Sequence, residues 1–132
     1  MDILVQVHSL FRWVVLLLGA LALALSAMAA AGVRPWDRLT ERLAFFFPLA
    51  MDLQALVGIL LWLLGQRWND AYLGWFHPLA MIGAVGLAHV GRVRSERADA
   101  GGARARGRQA VLFFTISLVV VLLAIPLYAW PV

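Results

Sequence analysis

The stretch WVVLLLGALALALSAMAAAGV, residues 13–33, runs for 21 positions without a charged side chain. A helix needs about 20 predominantly apolar residues to cross the hydrocarbon core of a bilayer. The stretch has no strict apolar–polar alternation, and at roughly twice the length of a barrel strand it does not read as one. Working outward, residues 71–91 form a second uncharged window of 21, and residues 109–132 one of 24. Residues 43–66 form a fourth, broken only by Asp52. Backbone groups in lipid must pair internally, which forces helices. The expected fold is all-α: an integral membrane four-helix bundle, up-down-up-down, in a single transmembrane domain over 1–132. The spans are expected over about 3–31, 43–65, 74–95 and 109–130, from the 20-residue requirement. Residues 27–31, Ala-Met-Ala-Ala-Ala, look like a signal-peptide cleavage site, but the apolar run before them is longer than a usual signal h-region.

The composition agrees. The chain is 132 residues, 64% hydrophobic and 14% charged, with a mean hydropathy of +0.87. Soluble domains run nearer 45–50% apolar and about 25% charged. A chain this short cannot hide so much apolar surface in its own core, so lipid is the solvent that accepts it. The chain has no cysteine, which removes thiol catalysis, zinc–thiolate and iron–sulfur sites and covalent haem attachment. No nucleophile–base set, metal-ligand spacing or phosphate loop appears, so no hydrolase or transferase is indicated.

The net charge is +4, and all 11 basic residues are Arg. No nucleic-acid-binding motif accompanies them, and basic loops of a membrane protein follow the positive-inside bias. Arg34, Arg38 and Arg42 fall between the first two spans, and six Arg fall in 92–108. The expected topology puts loops 1–2 and 3–4 in the cytoplasm and both termini outside. Residues 96–108, with Gly101-Gly102 and alternating Ala and Arg, read as a flexible basic cytoplasmic loop. Trp36, Trp68, Tyr72, Trp75, Tyr128 and Trp130 fall at the expected interfaces, as an aromatic belt does.

Polar and ionisable groups inside spans are expensive and are functional candidates by default. They are His8, Arg12, Asp52, Gln54, His77 and His89, with Ser26, Thr115 and Ser117 as minor cases. Helices 1 and 3 run parallel in this topology, so His8 and His77 lie within about 7 Å in depth at 1.5 Å per residue. His89 lies about 18 Å deeper than His77 by the same rise. Two imidazoles at one depth in a bundle core can hold a haem iron axially. Small residues near the histidine faces, Gly19, Ala22 and Ser26 beside Val15, and Ala80, Ala84 and Ala88, fit either a cofactor slot or close helix packing. Interfacial placement near helix ends is the plainer reading of the two histidines. Pro78 either caps the third helix at His77 or bends a helix that starts earlier.

Arg12 lies one turn below His8. It can meet a haem propionate, form an ion pair with Asp52, or snorkel to the interface. Asp52 also reads as a proton-relay carboxylate. Gln54 can donate to a quinone carbonyl or bond across helices. His89 reads as a second-site ligand, a proton carrier, or a histidine bonded to nearby backbone.

The stretches HSLFRW (8–13), DLQALVGILLW (52–62), HPLAM (77–81), AHVGR (88–92) and AIP (124–126) resemble a group of small bacterial four-helix membrane proteins described as cytochrome b-like. The resemblance spans nearly the whole chain. It implies b-type haem inside the bundle, membrane electron transfer and a bacterial inner membrane. His8, His77 and His89 carry over as candidate ligands, with His8 and His77 preferred. Some members carry His where this chain has Asp52, which puts a second, inner haem in question.

The expected function is therefore haem-linked electron transfer, with haem b between helices 1 and 3 and a redox partner or quinol exchanging electrons with it. A quinol-linked redox cytochrome is the one enzymatic reading left open. The alternative is a cofactor-free transporter or an assembly subunit of a respiratory complex working through Asp52 and Arg12. Lipid-facing surface beyond what four short helices hide points to a homo-oligomer or a larger complex as partner.

Overall fold

The computed structural model describes residues 1–130. Four helices form an antiparallel bundle: α1 Asp2–Ala30, α2 Arg38–Gly65, α3 His77–Arg97 and α4 Gly102–Ala124. A π-helical turn, Tyr72–Phe76, leads directly into α3. Each helix is long and apolar enough to cross a membrane, so the chain is an integral membrane protein. One end of the bundle carries the chain start, the 66–71 turn and the end of α4. The other carries the connections before α2 and before α4.

Lipid tails are as apolar as leucine, so helices associate here through close packing rather than apolar burial. Ala22, Ala44, Ala84, Ala88 and Ala110 are fully or almost fully buried, around an edge-to-face pair of Phe47 and Phe114 with ring centroids 5.3 Å apart. Gly19 lies against Phe47 and Leu118, and Gly107 lies against the backbone of Ser26 and Ala30. Ser117 on α4 donates its buried hydroxyl to the Ala84 carbonyl of α3 at 2.7 Å. Large apolar side chains such as Leu17, Leu56 and Leu123 stay exposed to the bilayer.

Three helix boundaries differ from the sequence expectation. The second helix starts at Arg38, not at 43, because Asp37 caps it. Its carboxylate accepts from the Thr40 amide at 2.9 Å and the Thr40 hydroxyl at 2.8 Å, and Arg34 pairs with it at 2.6 Å. These bonds hold the Asp37 carboxyl down at about 2. The expected flexible loop 96–108 is mostly helix: α4 starts at Gly102, after a short 3-10 turn, rather than at 109. Ala and Arg are good helix formers, and Arg106, only 13% exposed, pairs with Glu41 of α2 at 2.7 Å and covers the Trp36 ring. The expected fourth helix to 130 ends instead at Ala124, because Pro126 cannot continue it.

Candidate functional site

The site grows out of two prolines. Pro126 ends α4, and the last carbonyls of a helix have no partner within it. The freed Ala124 carbonyl accepts from the Tyr72 hydroxyl at 2.9 Å and from His77 Nδ1 at 2.8 Å. Pro78 supplies no N–H to the carbonyl four residues earlier. That carbonyl, of Gly74, accepts instead from Trp62 Nε1 at 2.7 Å. The wide turn Tyr72–Phe76 thus carries helix into α3 through Pro78, and the helix starts earlier than its proline. Because a carbonyl can only accept, His77 carries its proton on Nδ1, which leaves the Nε2 lone pair free.

His8 comes from α1. Gln54 of α2 donates to the His8 carbonyl at 2.8 Å, bonding across helices. One turn on from Gln54, Gly58 leaves room for the imidazole: an added Cβ there would sit 3.2 Å from His8 Cε1. The His8 and His77 ring centroids are 6.2 Å apart, with planes at 76°. Nδ1 of His8 is buried and has no hydrogen-bond partner among the described residues.

Both rings line a cavity of about 500 Å³ at the end of the bundle that holds the chain start, within the range of about 300–1,000 Å³ typical of small-molecule and cofactor pockets. Its wall is largely apolar, with Val15, Leu61, Val121 and Ile125, and includes Arg12 and Arg67. No Asp or Glu lines it among the described residues. Of the small-residue stripe read from the sequence, only its neighbour Val15 reaches the wall. Gly19, Ala22, Ser26, Ala84 and Ala88 are buried in helix packing away from the cavity.

The remaining candidates separate. Arg12 donates to the Ala129 carbonyl at 3.3 Å and lies beside the rings of Trp13 and Trp130. Asp52 does not pair with it. Residues two apart on a helix point roughly 200° apart at 100° per residue, and Gln54 is the one that meets α1. Asp52 therefore turns toward α3, where His89 Nε2 bonds its carboxylate at 2.8 Å. Of the three readings of His89, the bond to nearby backbone gives way to this side-chain partner. Sequence reasoning missed Trp62, Tyr72 and the Ala124 carbonyl. Pro78 and Pro126 were the signals, since each proline leaves a carbonyl that something must satisfy.

Among the described residues no group of three or more His, Cys, Asp or Glu could hold a metal ion. Two imidazoles fall short of the four ligands a bare zinc ion takes. They suffice for a metal that arrives with its equatorial donors in a macrocycle. No protein-family description, curated protein or solved structure matches this chain.

Proposed function

We propose that the chain is a membrane b-type cytochrome in which His8 of α1 and His77 of α3 would hold one haem through its iron. The spacing of the two rings carries this reading. The ring centroids lie 6.2 Å apart, close enough that a single metal between them would be within reach of a nitrogen from each ring. A haem bound there supplies reversible one-electron transfer.

The protein's own groups do the rest. The Ala124 carbonyl fixes the His77 tautomer and the orientation of its ring. Gln54 ties the His8 backbone to α2. Arg12 and Arg67 offer guanidinium groups to carboxylates at the edge of an apolar ring. Leu61, Val121 and Ile125 give the cavity an apolar lining, which would favour the less charged state of a metal centre held there. The positive-inside bias makes the arginine-rich end cytoplasmic, which puts the cavity near the outer face, open to a quinol or an external redox partner. The alternative that runs on an Arg12–Asp52 pair has less support, because Asp52 is engaged with His89.

The test is a visible spectrum of detergent-purified protein, air-oxidised and then reduced with dithionite. The expected result is a Soret band that shifts on reduction, with sharp split visible bands. His8→Ala and His77→Ala each abolish stoichiometric haem, and His89→Ala keeps it. Stoichiometric haem retained in the double variant of His8 and His77 overturns the ligand assignment.

A further inference from the structure

A second polar cluster lies away from the cavity, on the outside of the bundle. Asp52 of α2 and His89 of α3 meet at 2.8 Å, yet their side chains remain 42% and 47% exposed. Both fall inside the apolar region, Asp52 by about two turns and His89 by about one. Arg92 stacks on Phe45 of α2 and marks one edge of the apolar region. Asp52 is seven residues further along α2, about 10 Å deeper at 1.5 Å per residue. Leu53, Leu56, Ile82 and Val90 around the pair are exposed apolar residues. A half-exposed carboxylate at this depth faces lipid tails, where ionisable groups almost always turn to a bundle interior or another polar partner.

The surface beside the pair is built for close approach. Gly83 and Gly86 of α3 have nothing within 4 Å of the place a Cβ would take. Gly86 is three residues before His89, on the same face. Exposed glycines at such spacing let a neighbouring helix backbone come near.

The pair is also self-complementary. Its internal bond uses Nε2 of the imidazole and Oδ1 of the carboxylate, and leaves Nδ1 and Oδ2 over. A second copy related by a two-fold axis presents the same two atoms in reverse order. With both imidazoles protonated, each His89 donates once within its own chain and once to the other copy's carboxylate. Two carboxylates and two imidazolium groups then balance in charge, and the isologous arrangement closes on itself. We infer that the α2–α3 face around Asp52, His89 and Gly86 is the interface of a two-fold dimer of this chain. This inference does not depend on the haem reading, since the face is separate from the cavity.

The chain has no cysteine, so single cysteines report proximity cleanly. Gly83→Cys, Val90→Cys and Val93→Cys are compared with Ile116→Cys, Val119→Cys and Leu123→Cys on exposed positions of α4. Oxidation in native membranes is followed by non-reducing electrophoresis. The expected result is disulfide dimer at least fivefold higher for the best α3 position than for any on α4. Adding Asp52→Asn or Gly86→Leu lowers it at least fivefold. In parallel, native mass spectrometry of the unaltered protein in mild detergent should give twice the 14.5 kDa chain mass. A monomer mass, a complex with a different protein, or crosslinking no higher on α3 than on α4 each overturns the inference.

Discussion

Gly58→Leu fills the space beside His8 while leaving both histidines in the sequence, and so separates a shaped cavity from an incidental gap. A Cβ at residue 58 stands 3.2 Å from His8 Cε1, inside ordinary carbon–carbon contact at about 3.5–4.0 Å. Alanine therefore asks the imidazole to yield by a few tenths of an ångström. Leucine adds three more carbons, which extend into the cavity of about 500 Å³ and compete with whatever fills it. Overpacking of this kind costs about 1–3 kcal/mol. At 1.4 kcal/mol per factor of ten, that is roughly a 5- to 150-fold loss of haem affinity. Gly58→Ala should lose about tenfold or less on the same scale. The assay is a haem titration of apoprotein in detergent, read at the Soret band, with helix content checked by circular dichroism. Ala20→Leu, on the lipid-exposed side of α1, is the control and should bind as the unaltered protein does. If Gly58→Leu binds haem with unchanged affinity, the reasoning from His8 to the cavity is wrong. If Ala20→Leu loses as much, the effect belongs to the membrane fold and not to the site.

Three further outcomes are expected. Gly107→Val puts side-chain atoms against the backbone of Ser26 and Ala30, which cannot swing aside. The α1–α4 contact should loosen by about 1–3 kcal/mol, visible as a lower midpoint in detergent-mediated unfolding. Asp37 is held at about 2, against an ordinary 3.8, chiefly by the Thr40 amide and hydroxyl with Arg34 behind them. A depressed carboxyl adds stability above its unfolded value and loses it as the pH falls through its folded value. Melts followed by circular dichroism should therefore weaken between about pH 4 and pH 2, and Asp37→Asn should flatten that dependence. Finally, Ala100→Cys should react with an impermeant maleimide only from the cytoplasmic side, and Asn69→Cys only from outside. The opposite pattern inverts the topology.

The four spans were legible because their signal is additive. Twenty apolar residues in a row say helix across a bilayer whatever their neighbours do. The helix ends were harder to read because charge was used to end a span, while the helices themselves ignore that border. Asp37 and Glu41 carried a start signal, a capping carboxylate followed by an acid in the first turn, which the charge border at 43 overrode in the expected span. The Ala–Arg run at 103–108 was misread because Gly101-Gly102 suggested flexibility. Arg106 does not hang in water there. It is held between Glu41 and the Trp36 ring, and that tertiary contact is invisible along the chain.

The candidate site divides in the same way. Depth is a linear quantity, so the matching of His8 with His77 follows from counting residues along parallel helices. Facing is an angular quantity, and depth alone cannot decide it. Arg12 and Asp52 matched in depth as well, yet Gln54 holds the α1 side of α2, and a residue two positions away is turned to the other side. Once Gln54 bonds the His8 carbonyl, Asp52 has to look toward α3, where His89 is the basic side chain it meets. One amide thus sorts the ionisable groups into two places. His8 and His77 share a cavity at one end of the bundle, where Arg12 and Arg67 would favour an anionic-edged ligand. Asp52 and His89 share an open face, and an open face in lipid is stable for such a pair only when something polar covers it. The proposed cofactor inside and the proposed second chain outside would therefore be separate consequences of the same helix rotation.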